Sequence, residues 1–151
     1  MPQGEDHRLN PVLRAAPVST LASVAFGGAI GALARHGLAV ALPHEAGSFD
    51  TATFLTNLVG SLLIGIFMVT ITEVAPRGER LRPFLGIGVL GGFTTFSTYI
   101  VGIGRAANAG AALLALVFAF ATMAAALLAA ALGMYATRRL LVRRRAGKAP
   151  E

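Results

Sequence analysis

Four long apolar blocks follow one another along the chain, separated by short polar connections. The blocks cover residues 19–42, 52–72, 83–104 and 109–136. Each block is at least as long as the roughly 20 residues with which a helix crosses the hydrocarbon of a bilayer. The connections between them (43–51, 73–82 and 105–108) carry charged residues, Pro or Asn, as turns in water do. The pattern predicts an all-α membrane protein with four transmembrane helices.

The third block is interrupted in its middle by Gly91-Gly92-Phe93-Thr94-Thr95-Phe96-Ser97-Thr98-Tyr99. Glycine loosens a helical backbone, and Ser and Thr offer it competing hydrogen bonds. In hydrocarbon, a frayed backbone is tolerated only where protein or a water-filled cavity satisfies its amides and carbonyls. Membrane proteins commonly build ion sites from such broken helices. The sequence therefore predicts a broken third helix and ion handling inside the bilayer.

Composition narrows the class of protein further. Of the 151 residues, 55% are hydrophobic and 13% are charged, about half the charged fraction of a soluble domain. The absence of cysteine excludes disulfides, thiolate metal sites and cysteine nucleophiles. His7, His36 and His44 are scattered, and the apolar blocks contain no carboxylate pair, so we expect no enzymatic activity. The net charge of +6 lies mostly after the last apolar block, which indicates membrane anchoring rather than nucleic-acid binding.

Charge distribution also predicts domain limits and orientation. We expect a disordered N-terminal segment (1–17), a four-helix transmembrane domain (18–141) and a basic C-terminal tail (142–151). Eleven of the 13 Lys and Arg residues fall on the side that holds both termini, and only Arg35 and Arg105 fall on the other. By the positive-inside rule, this bias predicts a multi-pass protein of the cell membrane with both termini in the cytoplasm and one orientation.

Polar residues inside the apolar blocks are the candidate site residues. Arg35 is either functional, as charges at membrane depth often are, or it marks the end of the first helix and snorkels to the headgroups. Asn57 either joins two helices or presents its NH₂ group to an anion, and Thr53 and Ser61 lie one turn away on the same face. Thr122 is the only polar residue deep in the fourth block, where its hydroxyl can also bond to its own helix.

Aromatic and small residues complete the pattern. Phe93, Phe96 and Tyr99 recur every three residues. We interpret Phe93 as a packing residue, whereas the electropositive ring edges of Phe96 and Tyr99 suit a desolvated anion. Glycines spaced for close helix contact occur in the first three blocks, at Gly27 and Gly31, Gly60 and Gly65, and Gly88 and Gly92. A bundle of four helices leaves little internal room, so a conducting path is expected at an interface between two chains.

Three motifs in order along the chain resemble those of the Fluc/CrcB family of small fluoride channels. They are GGAIGALAR at 27–35, TFLTNLVGS at 53–61, and GVLGGFTTFST at 88–98. The resemblance implies passive fluoride export that relieves fluoride toxicity, through an antiparallel dimer with two fluoride pathways along its interface. It also implies a structural Na⁺ at the dimer centre, held by backbone carbonyls of Gly91 and Thr94.

The same resemblance assigns roles to individual side chains. It implies a fluoride pathway lined by Asn57, Phe96, Ser97, Tyr99 and Thr122, with Arg35 near a vestibule, where it raises the local anion concentration. The chain also departs from the family pattern. Tyr99 replaces the usual phenylalanine, and its added hydroxyl either donates to fluoride or alters the path. Gly102 stands where many members carry glutamate, and the polar track of the fourth helix keeps only Thr122.

Two questions stay open from the sequence. An antiparallel dimer needs both orientations, so the charge bias favours pairing with a homologous chain of opposite bias over an ordinary homodimer. The alternative function is a small scaffold subunit of a larger transporter or efflux assembly. The expected partners in the channel interpretation are fluoride, sodium, the lipid bilayer and a second chain, with no nucleic acid.

Overall fold

The computed structural model describes residues 17–45, 47–73 and 81–146, in which every regular element is helical. Helix α1 covers Val18–Ala41, α2 covers Thr51–Glu73, α4 covers Ser97–Asn108 and α5 covers Ala112–Ala146. Helix α3 consists of the π-wound stretch Arg82–Leu90 followed by Gly91–Phe93. With α3 and α4 taken as one span, Arg82–Asn108, four helices are long and apolar enough to cross a membrane. The four predicted crossings are thus confirmed.

Parts of the predicted domain scheme lie outside the described residues. These parts are residues 1–16 of the N-terminal segment and 147–151 of the basic tail, and the connection residues 74–80 lie outside as well. Helix α5 continues to Ala146, into the segment predicted as a tail. Arginine is a good helix former, and positive charge near a helix C-terminus interacts favourably with the helix dipole. Both effects explain why the helix extends past its apolar part.

Glycine seams hold the bundle together as two helix pairs. Helix α1 packs mainly against α3, and α2 packs mainly against α5, on which α4 also rests. A Cβ added at Gly31 would meet the Val89 carbonyl and would lie 2.7 Å from the Phe93 nitrogen. A Cβ added at Gly65 would meet the Ala130 carbonyl. Backbones in direct contact are a main source of helix association in lipid, where apolar burial drives little.

Helix α1 continues through Arg35 as far as Ala41. The alternative in which the first helix ends at Arg35 is therefore wrong. The half-buried guanidinium has a partner inside the bundle, since its Nε donates a hydrogen bond to the Gly92 carbonyl at 3.3 Å. This bond ties α1 to the end of α3.

The turn between α4 and α5 lies later in the chain than predicted. Residues 105–108, expected as the connection, are the last turn of α4, which ends at Asn108. Gly110 adopts a φ of 78°, which a residue with a side chain rarely does. Its N–H donates to the Ala107 carbonyl at 3.0 Å, and the Ala111 N–H donates to the Ala106 carbonyl at 2.9 Å. This Schellman arrangement satisfies the carbonyls at the helix end.

Candidate functional site

Residues 94–96 lie between α3 and α4, outside both helices; we call them the 94–96 segment. Thr94 is extended, with φ −71° and ψ 153°, while its N–H and Oγ1 both donate to the Leu90 carbonyl at 3.0 and 2.9 Å. In the described part of the chain, nothing donates a hydrogen bond to the carbonyl oxygens of Gly91 and Thr94. These two oxygens are therefore available to a ligand.

Asn57 of α2 holds this segment through the Thr95 backbone. Its Nδ2 donates to the Thr95 carbonyl at 3.0 Å, and its Oδ1 accepts from the Thr95 N–H at 2.9 Å. The Thr95 hydroxyl in turn accepts from the Thr98 N–H at 3.1 Å, as a capping side chain does at a helix N-terminus. The second N–H of the Asn57 amide has no partner among the described residues. Asn57 thus joins two helices, and the second N–H of its amide can donate to a further partner.

A cavity of about 250 Å³ lies beside the hydrogen bonds between Asn57 and Thr95, and we call it the junction cavity. It is lined by Asn57, Ser61 and Ile64 of α2, by Thr94, Thr95 and Phe96, by Tyr99 of α4, and by Thr122, Met123 and Ala126 of α5. Amide and hydroxyl groups therefore meet aliphatic and aromatic side chains around one space. Such a mixture of a few polar groups in an apolar wall is typical of a binding site.

Thr122 supplies an orphan polar atom at the cavity wall. The residue is only 4% exposed, and its Oγ1 is buried without a hydrogen-bond partner in the described part of the chain. The alternative in which this hydroxyl bonds its own helix is therefore wrong. A buried polar group without a partner costs about 1–3 kcal/mol in desolvation, so an acceptor that reached this hydroxyl would gain a hydrogen bond.

The two aromatic rings at the cavity differ in exposure. Phe96 is 71% exposed, Tyr99 is 7% exposed, and their centroids lie 5.9 Å apart with planes inclined by 45°. The Tyr99 hydroxyl donates to the Ala119 carbonyl of α5 at 2.8 Å. Its proton is therefore already used within the protein, and Tyr99 offers the cavity its ring alone.

The Tyr99→Phe variant is expected to keep its anion flux within about twofold of the wild type and to lose about 1 kcal/mol of stability, the usual contribution of one hydrogen bond. The physical reason is that the hydroxyl donates its hydrogen bond to α5 and not to an ion. Vesicle efflux measures the first quantity, and thermal unfolding followed by circular dichroism measures the second. A large drop in flux with unchanged stability would instead show that the hydroxyl contacts the ion.

The junction cavity gathers most, but not all, of the predicted site residues. Asn57, Phe96, Tyr99 and Thr122 line it, together with Thr94. Ser97 is exposed and lies outside the lining, with its Oγ 3.4 Å from the Thr95 Oγ1. The residues of the predicted polar face on α2 line two different cavities. Asn57 and Ser61 face the junction cavity, while Thr53 and Arg35 line a second cavity of about 180 Å³ between α1, α2 and α4.

Sequence reasoning missed two residues that organise the site. Thr95 provides the backbone that Asn57 holds by two hydrogen bonds, and the signal was a hydroxyl residue just before the start of a helix. Asp50 is buried at the start of α2, where its Oδ1 accepts from the Thr53 N–H at 2.9 Å and lies 3.5 Å from the His44 Nδ1. An Asp directly before an apolar block is the corresponding N-cap signal.

Asp50 also accounts for the glycine at position 102. A Cβ added at Gly102 would lie 3.2 Å from the Phe118 ring and 3.6 Å from the Asp50 Oδ2. A carboxylate at this position would therefore face a buried carboxylate, and like charges in a low-dielectric site repel strongly. The departure at Gly102 is consistent with the presence of Asp50.

Comparison with known proteins gives a consistent picture over most of the chain. Residues 22–134 match the family model described as CrcB-like protein, Camphor Resistance (CrcB). A protein of Streptomyces avermitilis named Fluoride-specific ion channel FluC 2 is 52% identical over 130 residues, which cover 86% of this chain and 81% of that protein. Fluoride-specific ion channel FluC 1 of Streptomyces coelicolor is 48% identical, with 83% and 80% covered. Fluoride-specific ion channel FluC 2 of Thermobifida fusca is also 48% identical, with 82% and 91% covered.

Proposed function

Because the chain belongs to the CrcB family, we propose that it is a fluoride-specific ion channel that exports fluoride passively across the cell membrane and so relieves fluoride toxicity. Its four membrane-spanning helices and its family make it a multi-pass membrane protein. One observation carries the proposal to a site: the buried Thr122 hydroxyl without a partner at the wall of the junction cavity. No observation favours the alternative of a scaffold subunit.

Fluoride must exchange water for protein donors when it enters such a site. Asn57 and Thr122 both line the junction cavity, and the spare N–H of Asn57 and the O–H of Thr122 lack acceptors in the described residues. A hydrogen bond to a charged partner is worth about 1.5–3 kcal/mol, roughly twice the value between neutral groups. These two donors therefore replace part of the hydration of the ion.

Ring edges supply the rest of the surroundings. Phe96 and Tyr99 line the same cavity with rings inclined to one another, and the edge of an aromatic ring is electropositive. An anion beside those edges gains an attractive contact without any fixed positive charge that would trap it. Conduction needs binding that is weak enough to release the ion, and neutral groups satisfy this need.

Substitution of Thr122 tests the proposal. Thr122→Val keeps the shape of the side chain and removes the hydroxyl, so fluoride efflux from reconstituted vesicles is expected to fall roughly 10- to 100-fold. Stability should stay the same or rise, because an unpartnered buried polar group disappears. The experiment measures efflux with a fluoride electrode and unfolding by circular dichroism.

Thr137→Val is the matched control on the same helix. The Thr137 hydroxyl donates to the Gly133 carbonyl at 2.7 Å and lies far along α5 from the junction cavity. Its removal should leave efflux unchanged. Equal efflux from Thr122→Val and wild type would refute the assignment of this hydroxyl to the pathway.

We also infer that the third crossing is functionally broken at the 94–96 segment and that the carbonyls of Gly91 and Thr94 hold a structural sodium ion. Their lack of hydrogen-bond donors fits this role, because hard cations prefer oxygen ligands. A bound cation supplies positive charge that offsets the repulsion between fluoride ions nearby. Asn57 and Thr94 hold the backbone in the required conformation through their own hydrogen bonds.

An antiparallel dimer is the assembly we propose. Phe96 lines the junction cavity yet is 71% exposed in the single chain, so a second chain is needed to enclose the pathway. For orientation, the ion pair between the Arg138 Nε and the Glu73 Oε1, at 2.9 Å, places the ends of α2 and α5 together. The arginines at that end favour the cytoplasmic side, which puts both termini there.

The strong charge bias favours pairing with a homologous chain of opposite orientation. Vesicles that contain this chain alone are then expected to show little fluoride efflux, and co-reconstitution with such a homologue should restore it. The effects of substitutions on efflux are therefore compared in vesicles that contain both chains. Protease accessibility of tagged termini reports orientation in the same vesicles. Robust efflux from the chain alone, with termini on both sides of the membrane, would show instead that it forms a homodimer.

A further inference from the structure

Helix α5 is longer than the membrane requires. Its 35 residues span about 52 Å, whereas the hydrocarbon core is roughly 30 Å thick. The apolar block ends at residue 136, so the last turns of this helix pass through the headgroup region while still helical. Side chains near this end are therefore held at a defined depth.

One face of α5 changes from apolar to basic along this stretch. Leu128, Leu132, Tyr135, Arg139 and Arg143 follow one another at intervals of four, three, four and four residues, which places them on one side of a helix. All five are exposed. The Arg139 guanidinium carbon lies 5.1 Å from the centroid of the Tyr135 ring, which fixes its position over the aromatic side chain. We call these five residues the α5 stripe.

Among the residues that the structure describes, the two arginines of the stripe have no carboxylate partner. Arg138, on a neighbouring face, is paired with Glu73, and Arg82 donates to the Ile71 carbonyl at 3.3 Å. Arg139 and Arg143 form no ion pair with any residue in the described part of the chain. Exposed guanidinium groups one turn apart match the phosphate of a lipid headgroup, to which arginine binds bidentately.

We propose that the α5 stripe binds an anionic phospholipid of the surrounding leaflet. The phosphate lies between Arg139 and Arg143, Tyr135 lies at the level of the headgroups, and an acyl chain follows Leu132 and Leu128 toward the bilayer centre. Basic clusters beside a transmembrane helix attract anionic lipids, and tyrosine favours the membrane interface. The proposal does not depend on the conducted ion or on which leaflet faces the cytoplasm.

Native mass spectrometry of the full-length protein tests this site. The protein is released from detergent with dioleoyl phosphatidylglycerol or dioleoyl phosphatidylcholine, and bound lipids are counted by mass. We expect tighter binding of phosphatidylglycerol, and at least about fivefold weaker binding after the double substitution Arg139→Gln/Arg143→Gln. Arg139→Lys/Arg143→Lys keeps the charge and should keep most of the affinity, which separates loss of charge from damage to the fold.

Controls and contrary outcomes are read from the same spectra. Arg105→Gln removes an exposed arginine at the other end of the bundle and should leave phosphatidylglycerol binding unchanged. Excess inorganic phosphate should not displace the lipid, because it has no acyl chain to follow the leucines. The proposal is overturned by equal binding of the two lipids, by unchanged phosphatidylglycerol binding in the Gln variant, or by full displacement with phosphate. It is also overturned if the Gln variant loses its dimer mass but keeps its lipid, because that result would mean that a second copy covers the stripe.

Discussion

Asn57→Asp is expected to reduce fluoride efflux by roughly a hundredfold or more. The carboxylate is the same size as the amide, and it can still accept the hydrogen bond from the Thr95 N–H. It removes both N–H donors, however, and places a negative charge at the wall of the junction cavity. Two like charges about 4 Å apart repel by about 4 kcal/mol at an effective dielectric of 20, which exceeds a hundredfold in rate. Fluoride-electrode recordings on reconstituted vesicles measure the change.

Asn108→Asp is the matched control for this variant. It makes the same chemical change at the exposed last residue of α4, away from the cavity. Efflux from it should equal that of the wild type. The comparison also requires that Asn57→Asp still purify as the wild-type assembly, which size-exclusion chromatography reports. Near-normal efflux through a correctly assembled Asn57→Asp channel would place the ion path elsewhere.

Gly31→Ala is expected to lower the free energy of unfolding by about 3 kcal/mol and to lower fluoride efflux severely. The new Cβ would meet the Val89 carbonyl and would lie 2.7 Å from the Phe93 nitrogen and 3.0 Å from the Gly92 carbonyl carbon. Backbone atoms cannot rotate away as a side chain can, so the two helices must separate, and overpacking of this kind typically costs 1–3 kcal/mol or more. Because Phe93 directly precedes the 94–96 segment, separation also moves the site.

Gly37→Ala controls for the loss of a glycine from the same helix. No atom of the described residues lies within 4 Å of a Cβ added there, so the variant should conduct normally. Alanine is a better helix former than glycine by about 1 kcal/mol, which favours unchanged or slightly higher stability. Thermal unfolding of the two variants by circular dichroism measures the contrast. If both variants had the stability of the wild type, the seam between α1 and α3 would be looser than described.

The crossings were predictable from the sequence because bilayer thickness sets their length. The ends of the helices were harder, since they depend on local hydrogen bonds rather than hydropathy. Gly110 ends α4 by adopting a positive φ, and apolar counting alone placed that boundary several residues too early. The extension of α5 to Ala146 follows from the helix propensity of arginine, which hydropathy disregards.

The site was predictable as a set of residue types but not as a set of bonds. Asn57 is conspicuous because it is the only amide in its block, yet its grip on the Thr95 backbone joins residues 38 positions apart. The Tyr99 hydroxyl has its partner on another helix, so the sequence left open whether it serves an ion or the fold. Thr122 is the opposite case. Local rules favoured a hydrogen bond from its hydroxyl to its own helix, but in the folded chain this hydroxyl is buried without a partner among the described residues.

Residues 94–96 separate the end of α3 at Phe93 from the start of α4 at Ser97, which places two helix ends close together in the chain. A helix macrodipole carries about half a negative elementary charge at its C-terminus and half a positive charge at its N-terminus. The end of α3 is therefore electronegative and the start of α4 electropositive, and the two ends lie only a few residues apart. One interruption of the chain can accordingly attract a cation on one side and an anion on the other through its backbone alone, with the Arg35 guanidinium bound beside it at the Gly92 carbonyl.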